Sequence, residues 1–202
     1  MPIGINGSGT ITGVSVGGLP DGIVDTDMIA AGAVTAPKRG AGAILQVVST
    51  TKTDVFSESI SAGGTSGDVT GLTVTITPSN ASNKILLMLS VSVSYPVSSG
   101  NIVFLYKDGS VISGAIGDAS GSLRRATFNS GGTNSASETI TGNYLDTAGG
   151  TSAITYSVRV GNLQTSNTHT IYVNRAGDSD ETLNNYTLNR VISNFTAMEV
   201  AA

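Results

Sequence analysis

The chain has 202 residues, of which only 12% are charged and 5% aromatic, with 26 Gly, no Cys and a net charge of −4. An average domain is ~25% charged, and Ser plus Thr here make up about a quarter of the residues. This composition excludes charge-driven disorder, a basic nucleic-acid surface, a disulfide scaffold and any Cys-based metal centre.

Residues 1–42 contain no aromatic side chain and ten glycines between isolated Ile, Val and Leu. Alternation at Ile3/Ile5 and Val14/Val16 predicts short extended pieces. Leu19-Pro20-Asp21-Gly22 predicts a turn, because Pro presets φ and Gly accepts a positive φ. Asp25-Thr26-Asp27 can cap one short helix through Ile29 and Ala33, ended by Pro37. So little apolar bulk cannot build its own core. The segment reads as an arm that orders against other chains; the plain alternative is a disordered tail.

Residues 43–202 read as strands. The predicted set is Ile44–Ser49, Val55–Ile60, Val69–Thr77, Ile85–Tyr95, Ile102–Tyr106, Val111–Ile116, Leu123–Phe128, Thr139–Leu145, Ile154–Gly161, Thr170–Asn174, Leu188–Phe195 and Ala197–Val200. Leu72, Val74 and Ile76 alternate with Thr, as one buried face requires. The run Ile85–Leu89 predicts burial on both faces, giving way to a half-buried stretch at Ser90–Tyr95. Asp108-Gly109 between apolar runs predicts a type I′ hairpin. Short strands at regular spacing predict an all-β fold: an antiparallel, jelly-roll-like β-sandwich knob over 43–202, with the Gly-rich arm at 1–42.

Catalytic residues are sparse. His169 is the only histidine and no Gly-x-Ser-x-Gly elbow accompanies it, so it reads as a strand-edge or loop residue. Asp178-Ser179-Asp180-Glu181 is the only acidic cluster and reads as a solvated loop. A calcium site or a carboxylate pair for glycoside cleavage are the functional alternatives there. Arg124-Arg125, in a strand, would face opposite sides and form no patch. The tyrosines Tyr95, Tyr106, Tyr144, Tyr156, Tyr172 and Tyr186 read mostly as packing residues. Tyr144 and Tyr186, beside Asn143 and Asn184-Asn185, are the candidates for an exposed, receptor-binding role. No enzyme activity, no cofactor and no metal site is expected.

Several strings resemble one family. Gly9–Val14, Val16-Gly17-Gly18-Leu19-Pro20-Asp21-Gly22 and Asp25–Ala36 resemble the N-terminal arm of tail-fibre-like virion proteins of tailed bacteriophages, especially of cyanophages and other aquatic phages. Leu45–Val48, Ile76–Leu86 and Ala197–Val200 resemble the β-rich knob of such proteins. The resemblance implies a homotrimeric fibre with virion localisation. Its arm, through Val16–Gly22, would anchor it to a baseplate, tail or capsid protein, and its head would bind a host-surface glycan or protein. Neither nucleic-acid binding nor membrane insertion is implied. Such fibres usually carry a shaft of repeats, and this chain has none, which keeps a capsid decoration (cement) protein or short head fibre as the alternative; a glycan-cleaving tailspike is a more distant one. The first residues lack a basic and apolar leader, so export is expected by release of assembled particles at lysis.

Overall fold

The computed structural model describes residues 33–34, 38–94, 100–130, 137–177 and 190–202. The arm strings up to residue 32, the predicted short helix, Tyr95, the cluster Asp178–Glu181 and Tyr186 lie outside the described residues. The chain divides into two units, residues 1–39 and 40–202. The second unit is all-β: two antiparallel sheets packed face to face as a β-sandwich.

Eleven strands are described: β1 (Ile44–Lys52), β2 (Phe56–Ile60), β3 (Thr73–Ile76), β4 (Lys84–Ser94), β5 (Asn101–Lys107), β6 (Ser110–Val111), β7 (Phe128–Ser130), β8 (Glu138–Thr147), β9 (Ile154–Asn162), β10 (His169–Val173) and β11 (Ser193–Val200). The first sheet runs β1-β11-β4-β10-β2, with β8 on the other side of β4. The second runs β3-β9-β5-β6, with β7 also on β5. The core lies between them and is built from the inward residues of alternating strands. Leu72, Val74, Ile76, Leu105, Tyr156 and Val158 come from the second sheet's side, and Ile85, Leu87, Val91, Ile171, Phe195 and Ala197 from the first. Burying each such side chain stabilises by ~1.5–3 kcal/mol against the chain entropy lost on folding.

The Asp108-Gly109 hairpin forms as expected. Both residues take positive φ (48° and 78°), which lets the turn follow the strand twist between Lys107 and Ser110. Asp108 also accepts the Thr155 N–H at 2.9 Å, tying the turn to β9.

Four expectations are corrected. The segment Val111–Ile116 is strand only at Ser110–Val111 and then turns through a 3-10 helix at Ser113–Ala115. Leu123–Phe128 is not a strand before Phe128, because Arg124 and Arg125 turn their guanidinium groups onto backbone carbonyls. The last two predicted strands are one, Ser193–Val200, since nothing at Thr196 breaks the ladder. In β4 the burial runs opposite to the reading. Met88 is exposed and Leu86 half-buried, while Val91 to Ser94 are all buried. The serines there are not solvent-facing: the Ser94 hydroxyl donates to the Arg175 carbonyl at 2.6 Å, and the Ser92 N–H donates to Ser193 Oγ at 3.0 Å. A buried hydroxyl with a partner loses little by leaving water.

A buried polar joint sits where β1 gives way to β2 and where β10 leads towards β11. Asn174 takes φ 68°, a left-handed value that Asn tolerates better than most residues. Its amide donates to the Lys52 and Asp54 carbonyls at 2.8 and 3.0 Å, and its carbonyl oxygen accepts from Ser193 Oγ at 2.5 Å. The Lys52 ammonium, itself buried, pairs with Asp54 at 2.9 Å. That ammonium is the main reason the Asp54 carboxyl is held below its ordinary value.

Candidate interaction surface

The two outer faces of the sandwich differ. On the second sheet, Ile102 and Phe104 point away from the central core and are nevertheless buried. They fit against Gly161, where an added Cβ would lie 2.8 Å from Ile102, and the Arg124 guanidinium covers the Phe104 ring at 5.6 Å. Arg124 donates to the carbonyls of Asn162 and Gly64 and to Thr65 Oγ1, so it pins the 118–127 segment over that face. Burial lowers its pKa. Beyond it, Arg159 stacks on Tyr106 at 3.9 Å and pairs with Asp68 at 2.6 Å, while Ser157 donates to the same Asp68 oxygen. Burial alone would raise the Asp68 pKa, but the hydrogen bonds from Arg159 and Ser157 bring it below its ordinary value. This face is covered and carries paired charges.

The first sheet's outer face presents exposed side chains among the described residues. Strand alternation puts the odd residues of β1 and β8 and the even residues of β11 and β4 outward. The registers align them into rows across four strands. One row is Val47–Met198–Leu86–Leu145, the next Ser49–Thr196–Met88–Asn143, and the third Thr51–Asn194–Ser90–Thr141. None of the twelve side chains carries a charge. Val47 is 55% exposed, Met88 44% and Leu145 54%, although large apolar side chains usually turn inward. Hydroxyls and amides in the polar rows bond across strands: Ser49 with Thr196 at 2.7 Å and Thr51 to Asn194 at 2.6 Å. A shallow groove crosses the face between Met88, Ser90, Thr141, Asn143, Asn194 and Thr196. Past the Val47–Leu145 row, Lys84 stands in register with Val200 and Thr147, and its ammonium donates to Thr147 at 2.9 Å.

Two polar clusters brace the sandwich at the ends of its strands. Glu199 is 1% exposed. Its Oε1 accepts from the Ser79 N–H and hydroxyl (2.6 and 2.8 Å) and from the Asn83 amide (2.6 Å), and its Oε2 accepts from Gln46 at 2.6 Å. Burial works to raise its pKa, but the hydrogen bonds from Asn83, Gln46 and Ser79 win and hold it below the ordinary 4.5. No cation is among these donors. The second cluster joins the sheets: Asp146 of β8 accepts from Lys107 of β5 and Tyr156 of β9 at 2.8 and 2.7 Å. Burial, then the bond to Asp146, pushes the Tyr156 hydroxyl well above its ordinary range, so it keeps its proton. That suits a brace and not an acid–base catalyst.

Tyr144 lies on the inward side of β8, half-buried against the core, with its hydroxyl beside Gly114. Its neighbours Asn143 and Leu145 are the exposed ones. His169 opens β10 opposite Ile60 and is half-buried. Tyr106 and Tyr172 lie under Arg159 and Arg175. Val16 to Gly22 and Tyr186 lie outside the described residues. Among the described residues no group of three His, Asp or Glu side chains is placed to hold a metal ion, and no helix is long and apolar enough to cross a membrane.

The Glu199 cluster was not anticipated, although the signal was there. Phe195, Ala197 and Glu199 share one side of an alternating strand, which places a carboxylate inside. Its partners Gln46, Ser79 and Asn83 come from the other strings singled out as knob-like, so those strings meet in space.

No family model and no curated protein matches the chain. Among solved structures, the chain is similar to those of infectious bursal disease virus Gt strain (15% identity, TM-score 0.39) and Gx strain (14% identity, TM-score 0.38). Each match covers 78% of this chain, but only 38% and 37% of the other, so this chain spans under two fifths of the length of those neighbours.

Proposed function

We propose that this chain is a non-enzymatic structural protein of a virion: a trimeric fibre of a tailed phage, held to the particle through its N-terminal arm, with the sandwich as the head that meets a host-surface glycan or protein. The observation that carries the reading is the open outer face of the first sheet, with twelve uncharged positions in register. A freely diffusing monomer gains solubility from scattered surface charge, and a chain held in an assembly needs less of it. The arm strings around Val16–Gly22 support anchoring by resemblance. Avidity from several copies would let a shallow, neutral surface grip a host with weak single contacts.

Light scattering on the full chain, and on a chain lacking residues 1–42, tests the reading. The full chain is expected at three times the chain mass, and the truncated chain at a lower mass with its β signature retained. A full-length chain that runs at a single-chain mass would sink the free trimeric fibre. Copy number on purified particles then separates a fibre, present in small multiples of the tail symmetry, from a decoration protein present in hundreds.

A further inference from the structure

We propose that the Glu199 cluster is an acid-operated latch on the corner where the chain enters the sandwich. One proton taken up by Glu199 frees residues 42–46 and the loop 77–83 from the end of β11, while the rest of the sandwich stays folded.

Three observations carry this. The first is convergence. Gln46 at the start of β1 and Ser79 and Asn83 of the loop before β4 all close on Glu199, near the end of β11. Further bonds hang on the same loop. Asn83 Oδ1 accepts the Ala202 N–H at 3.1 Å, and the carbonyls of Asn83 and Ala81 accept the N–H groups of Ala148 and Gly149, each at 3.0 Å. The second is the backbone at the corner. The β1–β11 register shifts between Ile44 and Gln46, and such a bulge interrupts the ladder. Ahead of it, among the described residues, stand the Ile44–Val200 pair and the 2.9 Å bonds of Gly42 and Ala43 with Ala201. The third is the sense of the bonds. Three of the four donors are N–H groups, which cannot accept a hydrogen in return. A proton on Oε2 faces the Gln46 amide, which can turn its oxygen round only by giving up the Thr77 carbonyl at 2.7 Å. A proton on Oε1 faces the Asn83 amide, which can turn only by losing Ala202. The Ser79 hydroxyl can turn to receive the proton, but it then stops donating. Donor set against donor in a buried site is relieved when the corner opens.

Burial works to raise the Glu199 pKa, and the bonds from Asn83, Gln46 and Ser79 hold it below the ordinary 4.5. The latch is therefore shut near neutral pH and opens as the pH falls through that lowered value. The other ionisable groups on the elements around it are engaged elsewhere. Lys84 of β4 reaches Thr147, and Lys52 at the far end of β1 pairs with Asp54. Asp146, in the same cross-strand row beyond Ile85, pairs with Lys107 and accepts from Tyr156. The loop 77–83 and β3 carry no ionisable side chain.

Hydrogen exchange of the full chain at about pH 6 and about pH 3.5, corrected for the intrinsic rate at each pH, tests the latch. Residues 42–46 and 79–83 should lose at least about tenfold in protection at the lower pH, while the β5–β9 ladder keeps its own. In Glu199→Gln the same two segments should exchange fast already at the higher pH and change little at the lower. Gln46→Ala, which leaves the carboxylate and its other donors in place, should speed residues 42–46 about tenfold at the higher pH and leave 79–83 protected. Corner protection that is equal at the two pH values would overturn the proposal. So would loss at the corner and the β5–β9 ladder together, which is general acid unfolding. The same pH response in Glu199→Gln as in the wild type would give the corner to another carboxylate and overturn it too, as would unchanged exchange at 42–46 in Gln46→Ala.

Discussion

Glu199 shows how much one residue can decide. A buried carboxylate normally needs a cation, because leaving water costs several kcal/mol. Here four hydrogen bonds from Ser79, Asn83 and Gln46 take that place and keep the group ionised. Its folded pKa lies below the ordinary 4.5, so its stabilisation is complete above pH ~4.5 and is lost as the pH falls through the folded pKa. Glu199→Gln keeps the shape but turns an amide N–H₂ toward a donor. Chemical denaturation at pH 7 should show a loss of ~1–3 kcal/mol. The difference between wild type and variant should shrink steadily below pH ~4.5. A gap that stays constant down to pH 3 would mean that the carboxylate charge is not what matters.

At the scale of elements, the legible parts were those with a local cause. Alternation gave the strands with one buried face, and Asp108-Gly109 gave the hairpin, because side-chain period and φ preference are properties of a few adjacent residues. The illegible parts had distant causes. Val91–Ser94 reads as half-buried until Arg175 and Ser193 arrive from residues some 80 to 100 positions away to bond the serines. Leu123–Phe128 reads as a strand until Arg124 finds the carbonyls of Gly64 and Asn162. The junction around Asn174 is of the same kind: a left-handed residue whose amide fills the gap where β1 ends and β2 begins. Asn174→Ala leaves two carbonyls and a serine hydroxyl buried without their partner and strains the positive φ. Thermal and urea unfolding should show a loss of ~2–4 kcal/mol. A change under ~0.5 kcal/mol would show that the joint is not stressed.

For the molecule as a whole, the sandwich follows from the strand pattern, but the contrast between its two outer faces does not. Both faces are rich in Ser and Thr in the sequence, and only the registers show that one collects paired charges and the other three rows of uncharged side chains. The candidate receptor residues illustrate the limit. Tyr144 sits on the inward side of its strand, as the parity of Ile140 and Tyr144 implies, and the exposed positions fall to Asn143 and Leu145.

The two ends of the sandwich leave from one corner. Ile44 pairs with Val200, and Gly42 and Ala43 exchange hydrogen bonds with Ala201. A pull on the residues ahead of Gly40 therefore enters the sandwich through β1. Directed along the strand, it is shared at once by the eight paired positions of the β1–β11 ladder. Directed outward, it meets them one at a time, beginning at the corner where Gln46 grips Glu199. The sandwich resists being dragged far better than being peeled, and the buried carboxylate is the rivet at the seam where peeling would start.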